Sequence, residues 1–367
     1  MYAPIGEPLP GLSQDQADRF AQGQALFSHV FSPEEGLGPR FNENACNACH
    51  TDPADGGTGE QLVLKASHFD DEGTCQTFAA QGGENLRGKL TPEASALGAV
   101  PASAPAEASH RGRINTPFLF GMGMIDAIPQ ATLDGLADPD DRNGDGISGR
   151  VGRSADGRPA RFGRKAAVAT LADFVDEAAR LEMGLTTAAH PDEATAGALP
   201  AVPDGSDQVA DPELDAERVA LIVDFVRYLA PPEPGTPRPE DEALVEQGRA
   251  LFEGLGCSSC HVPALRTRAD APPPLAGREI ALYSDLLLHD MGPDLAGPCT
   301  AGASPTEVRT EPLMGLRYRR TLLHDGRIGR VRDAILAHGG EAQAARDAFD
   351  GLDRVVQEAL LRFLAQL

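Results

Sequence analysis

The sequence predicts a mainly α chain made of two copies of one helical domain, with long ordered loops between the helices. Three observations carry this prediction. Apolar residues recur at helical spacing, as in 216–229, where Val219, Ile222, Val223, Val226 and Leu229 fall three and four apart. Sequence blocks return in the same order in both halves. Strand alternation is scarce, while 40 glycines and 30 prolines among 367 residues require loops.

The repeat sets the organisation. "FAQGQALF" (20–27) matches "VEQGRALF" (245–252), and each precedes a Cys-x-x-Cys-His pentapeptide, "CNACH" (46–50) and "CSSCH" (257–261). "INTPFLFGMG" (114–123) parallels "VRTEPLMGLR" (308–317), and "LIVDFVRYL" (221–229) parallels "ALLRFLAQL" (359–367), each of the last pair closing its half. The first domain then spans 1–233 and the second 234–367, with "PPEPGTPRPE" (231–240) as a semi-rigid linker. Residues 190–215 read as a long loop, mobile at its centre. In 331–338, Val331, Ile335 and His338 share one helical face, and Gly339-Gly340 stops the helix.

Composition bounds the function. A net charge of −23 disfavours nucleic-acid binding, because phosphates would be repelled. An acidic surface can steer a basic protein partner, or serve solubility alone. No apolar run is long enough for a membrane span. Met1-Tyr2-Ala3-Pro4 lacks the features of a signal peptide, so an exported form would be a trimmed chain with an added methionine. Tryptophan is absent and aromatics make up only 5%, which leaves room in the core for a large planar cofactor.

The pentapeptides admit three chemistries. Zinc would need two Cys-x-x-Cys pairs close together, but here the pairs lie in separate repeats. A redox dithiol should follow a strand in a βαβ unit, which is not visible. Covalent haem accounts for every residue: two thiols add to the vinyl groups and the next histidine lies beneath the iron. The expected fold is thus two cytochrome c-like domains, each holding one c-type haem, through Cys46, Cys49 and His50 and through Cys257, Cys260 and His261. Thioether formation requires an extracytoplasmic maturation system, so a periplasmic location follows. Cys75 and Cys299 remain, either as a disulfide or as two buried thiols.

"GLGPRFNENACNACH", "GRINTPFLFGMGMIDAIP", "DPDDRNGDGISGR", "RFGRKAAVATL", "ALYSDLLLHDMG" and "LLHDGRIGRVRDAILAHGGEA" together resemble the bacterial di-haem oxidoreductases of peroxidase type. The resemblance runs from about residue 20 to 365. More distantly, the layout is similar to di-haem cytochrome c peroxidases and to the di-haem enzyme that matures methylamine dehydrogenase. It implies an electron-transfer haem in the C-terminal half and a peroxide-reacting haem in the N-terminal half.

The resemblance also assigns roles. The second ligand of the C-terminal haem falls at His338, after the His324-Asp325-Gly326 turn; a core histidine bonded to a carbonyl is the alternative. His324 and His289 then serve as hydrogen-bonders around that site. For the N-terminal haem the nearest match is His110, with His68 as the alternative, and Asp126 is the candidate proton-carrying carboxylate, or else a helix cap. "DRNGDGISG" (141–149) offers Asp141, Asn143, Asp145 and the Ile147 carbonyl as calcium ligands, although position twelve is Gly152 rather than glutamate, which rules out an EF-hand proper; an ordinary turn is the alternative. The relatives hold a second calcium through a Thr-x-Pro-like segment, here Thr310 and Pro312 around Glu311. They also carry an inter-haem tryptophan, where this chain has Arg164. The expected activity is reduction of hydrogen peroxide or another small oxidant, with electrons from a small cytochrome c or cupredoxin. The alternatives are a two-haem electron carrier, or oxidation of a protein partner through a high-valent haem.

Overall fold

Gln14–Phe27 and Ala216–Tyr228 are helices packed against each other, as are Glu242–Gly254 and Arg354–Leu364. The computed structural model describes residues 1–82, 84–193 and 201–367. Ser13 starts the first helix: its Oγ accepts from the Gln16 amide, and the Gln16 side chain accepts from the Ser13 amide. Asp215 starts its partner by accepting from the Arg218 amide at 2.8 Å.

Both pairs cross at a glycine. A Cβ on Gly23 would lie 2.0 Å from the Leu221 carbonyl oxygen, and one on Gly248 would lie 2.0 Å from that of Ala359. No other residue permits backbones this close. Phe27 meets Phe225 with ring centroids 4.8 Å apart, and Phe252 meets Phe363 at 5.5 Å. These positions correspond within the repeated blocks, so the sequence repeat is a repeated helix crossing. The third block repeats as backbone conformation: Gly121 and Gly315 have φ of 77° and 76°, each opening a short helical turn.

The structure holds more strand than expected. Leu62–Phe69 pairs antiparallel with Cys75–Gln76 and with His110–Asn115, in register Leu62↔Asn115 through Ser67↔His110. This partner arrives some forty residues later, so local alternation carries little of the signal. The helix at 331 ends at Leu336, and His338 falls in the turn beyond it, not within the helix as expected.

A large apolar cluster joins Phe20, Phe27, Phe118 and Phe225 to Leu265, Ile280, Leu282 and Leu287 from beyond the linker. A second gathers Val245, Phe252, Phe349, Leu360 and Phe363. Cys75 and Cys299, 224 residues apart, form a disulfide across the halves. In the 231–240 linker, the Gly235 amide donates to the Gln366 carbonyl at 2.6 Å. Of the expected mobile loop, 194–200 lie outside the described residues. Its two ends are held together by Thr186, just before it, whose amide donates to Glu213 at 2.7 Å and whose hydroxyl lies 2.9 Å from Asp211. Among the described residues, no helix is long and apolar enough to cross a membrane.

Candidate cofactor sites

The Cys-x-x-Cys segments form a short turn in each half, Cys46–Cys49 and Cys257–Ser259. None of their four cysteines is disulfide-bonded. Burial pushes Cys46 and Cys49 up to about 12 and Cys257 up to about 11, so they rest as thiols. The two following histidines are held alike. His50 Nδ1 donates to the Gly57 carbonyl at 3.0 Å, and His261 Nδ1 donates to the Tyr283 carbonyl at 2.9 Å. Each ring lies beside the equivalent phenylalanine, Phe27 at 6.0 Å and Phe252 at 6.4 Å. Burial pushes both imidazoles down to about 4, which keeps them neutral and able to ligate a metal.

His338 completes the C-terminal arrangement. Its Nδ1 donates to the Ala334 carbonyl at 2.7 Å, one helical turn back, with Nε2 on the opposite edge of the ring. His261 and His338 line one cavity of about 400 Å³, with Cys257, Cys260, Leu313 and Leu316. That volume suits a cofactor, about 300–1,000 Å³ being usual. Two thiols, two neutral imidazoles and an apolar wall fit a haem. The N-terminal half contributes Thr58, Asn115, Phe118 and Arg164 to the same cavity.

Around it lies a buried polar chain. His289 Nε2 is 2.9 Å from Asp285 and its Nδ1 is 2.8 Å from Glu341 and 3.8 Å from Cys260 Sγ. Burial alone would lower this imidazole, but the bonds to Asp285, Cys260 and Glu341 raise it to about 12. Cys260, Asp285 and His289 are close enough to share a metal ion. Both His289 nitrogens already face carboxylates, however, which suits the hydrogen-bonding role expected of it. His324 is buried beside the cavity, and burial pushes it down to about 4.

Two residues expected in the N-terminal site are engaged in the secondary structure. His110 is not in a loop but opens the His110–Asn115 strand, bonded to Ser109 Oγ at 3.0 Å. Five extended residues carry it about 17 Å from Asn115, whereas the Pro117 backbone lies close enough to act on the His50 imidazole. The strand thus takes His110 toward His68 and Lys165, and His68 lies in the neighbouring strand. Asp126 Oδ1 accepts from the Leu171 amide at 3.1 Å, at the start of the Leu171–Ala178 helix. It is the helix cap of the two readings, because this first-turn amide has no partner within the helix.

A different carboxylate is held near the first motif. Glu182 accepts from Asn42 Nδ2 at 2.8 Å and from Asn85 Nδ2 at 2.5 Å, and its charge acts on Cys49. Glu177 is nearby, its carboxyl raised by burial first and then by the charges of Glu84 and Glu182. Neither was singled out from sequence. The sole cue was a glutamate in a helical segment, and the two amides that orient Glu182 lie far off in the chain.

In the 141–147 loop the oxygens are taken up locally. Asp141 accepts from the Gly146 amide at 3.2 Å, Asn143 Oδ1 from the Asp145 amide at 3.0 Å, and Asp145 from the Ile147 amide at 2.9 Å. The Thr310 carbonyl accepts from Ser284 Oγ at 2.7 Å, and Glu311 is ringed by Arg164, Arg309 and Arg319.

A family model described as "Di-haem oxidoreductase, putative peroxidase" matches residues 103–367. Solved structures are similar at low identity. Hydrazine synthase of Kuenenia stuttgartiensis is 14% identical over 100% of this chain and 95% of that one, with a TM-score of 0.47. The di-haem peroxidase BthA of Burkholderia thailandensis is 14% identical over 99% and 87%, with a TM-score of 0.45. A MauG-like protein associated with microbial copper homeostasis is 14% identical over 100% and 93%, with a TM-score of 0.44. No curated protein matches the chain.

Proposed function

The chain belongs to the di-haem oxidoreductase family, and from that premise we propose that it is a periplasmic enzyme of peroxidase type. Its two cytochrome c-like domains, 1–233 and 234–367, would each attach one haem, through Cys46 and Cys49 above His50 and through Cys257 and Cys260 above His261. The haems supply electron storage and the reduction of hydrogen peroxide when bound. The acidic surface would steer a small basic electron donor, a cytochrome c or cupredoxin, to the protein.

One observation carries this reading: the two histidine sites are unequal. His261 shares its cavity with His338, close enough for a charge on His338 to disfavour one on His261. The charged group acting on His50 is Arg164 instead, and His110 lies on a strand paired with Leu62–Phe69. The chain would therefore close the C-terminal iron with two imidazoles and leave the N-terminal one accessible to a small oxidant. Glu182, fixed by two amides, would hold and pass the proton that this chemistry requires. Asp141, Asn143, Asp145 and Ile147 would be the ligands of calcium, since they offer oxygens at alternating positions of one loop.

Absorption and EPR spectra of the as-isolated and half-reduced protein test the inequality. One high-spin iron that responds to peroxide is expected. Two low-spin irons in every redox state, unresponsive to peroxide, would make the protein an electron carrier.

A further inference from the structure

Three arginines surround one glutamate at the wall of the C-terminal cavity. Arg164 Nη1 lies 2.5 Å and Arg309 Nη2 2.8 Å from Glu311 Oε2, and Arg319 Nη1 lies 2.9 Å from Oε1. The three guanidinium side chains are only 9%, 5% and 8% exposed. Buried charge is tolerated when it is paired, and here three positive groups share one negative group. The next carboxylate, Asp285, is already bonded to His289 at 2.9 Å. The remaining donors do not restore the balance. Arg309 Nε goes to the Gly163 carbonyl at 2.9 Å and Arg319 Nη2 to that of Met314 at 3.0 Å, which are neutral acceptors. Arg164 Nε and Arg319 Nε are buried with no hydrogen-bond partner.

All three arginines and Glu311 line the cavity that holds His261 and His338. A group entering that cavity meets a surplus of two positive charges and N–H donors without acceptors. Haem carries two propionate carboxylates on one edge of an otherwise apolar ring. We propose that Arg164, Arg309 and Arg319 form the propionate-binding wall of the C-terminal haem, their surplus charge matching the two propionates. Arg164 is bound to the Asn115 and Thr116 carbonyls at 3.4 and 3.3 Å, so this wall is also where the N-terminal half touches the cofactor. The inference rests on the haem reading of the C-terminal cavity.

The test uses the haem-loaded protein. Arg309→Gln and Arg319→Gln should move the propionate bending bands in the resonance Raman spectrum. At a fixed potential they should also shift the low-spin haem toward Fe(III) on the order of tenfold, because a nearby positive charge favours the reduced form. Glu311→Gln should shift that ratio the other way; a cluster remote from the haem would move it in neither direction. Arg319→Lys keeps the charge but loses the planar fork, so it should preserve the ratio and still move the bands. It also serves if the glutamine variants fail to fold. Propionate bands that stay fixed in every arginine variant carrying two covalent haems would overturn the assignment and leave the haem reading intact. Absence of covalent haem from the wild-type mass would overturn that reading instead.

Discussion

Ser148 and Glu341, 193 residues apart, are joined by two hydrogen bonds: the Ser148 amide to Oε2 at 3.0 Å and Oγ to Oε1 at 2.7 Å. Ser148 follows directly on the 141–147 loop, and Glu341 lies three residues beyond His338. The loop and the His338 turn are therefore mechanically connected, with His289 bonded to the same carboxylate.

Ser148→Ala should cost about 1 kcal/mol of stability and broaden the low-spin EPR signal assigned to the His261/His338 haem. Chelation of calcium, or Asp141→Ala with Asp145→Ala, should act in the same direction, since an ion bound to the folded form alone stabilises it. Thermal unfolding and EPR on carefully desalted protein check both. No calcium by elemental analysis, with an unaltered double variant, would leave the loop an ordinary turn.

Replacing Cys257 and Cys260 with alanine should leave one covalent haem. Intact mass would fall by one haem, and the Soret band would drop by about half on the two-site reading. Two haems retained would contradict the assignment of the motif.

Gly23→Ala and Gly248→Ala should each destabilise the protein by at least roughly 1–3 kcal/mol, the usual cost of overpacking. Each added methyl would collide with a backbone carbonyl at 2.0 Å, which no rotamer change relieves. Similar losses in denaturant unfolding are expected, because the two crossings have the same geometry.

Glu182→Gln should slow the peroxide reaction about 10²–10⁴-fold, the usual share of a general acid–base group. Asp126→Ala should leave that reaction intact and cost about 1 kcal/mol as a lost cap. Stopped-flow spectroscopy and thermal melts separate the two; a reaction slowed only by Asp126→Ala would reverse the assignment.

The contrast between these carboxylates marks how far the sequence could be read. The Cys-x-x-Cys-His motifs and the helices of the two pairs are local or repeated signals, and the glycine crossing lies inside the repeated blocks. Asp126 lies in a conspicuous segment, yet its partner is the Leu171 amide. Glu182 lies in an ordinary one, yet its partners are Asn42 and Asn85. Those pairings depend on how distant segments meet, and no spacing rule encodes them. The setting of His110 is hidden for the same reason: its strand exists through pairing with Leu62–Phe69. The arginines around Glu311 come from segments more than a hundred residues apart and form a cluster only after folding.

Acid should weaken the fold in two stages. Burial lowers His324 from its ordinary 6.5 to about 4, so the unfolded chain binds its proton first. Its contribution is complete above about 6.5 and is lost as pH falls toward about 4. For Glu311 and Glu341, burial alone would raise the carboxyls. The three arginines outweigh it at Glu311, and the bonds from His289 and Ser148 outweigh it at Glu341, lowering both from 4.5 to about 2. Their contribution is present above 4.5 and is lost on descent to about 2. Denaturant midpoints measured against pH should show both windows, and His324→Asn should flatten only the upper one.

The Cys75–Cys299 bond closes a ring of chain that contains the whole proline-rich linker. A protease that nicks between 231 and 240 would therefore leave a single particle, and its two pieces would separate only after reduction and loss of the shared apolar core. The bond also bears on biosynthesis. Six thiols on an unfolded chain can pair in many ways, but two can pair in only one. Covalent attachment of the two proposed haems would withdraw four thiols from exchange, so the order of the covalent steps, more than the final geometry, would protect the chain from scrambling.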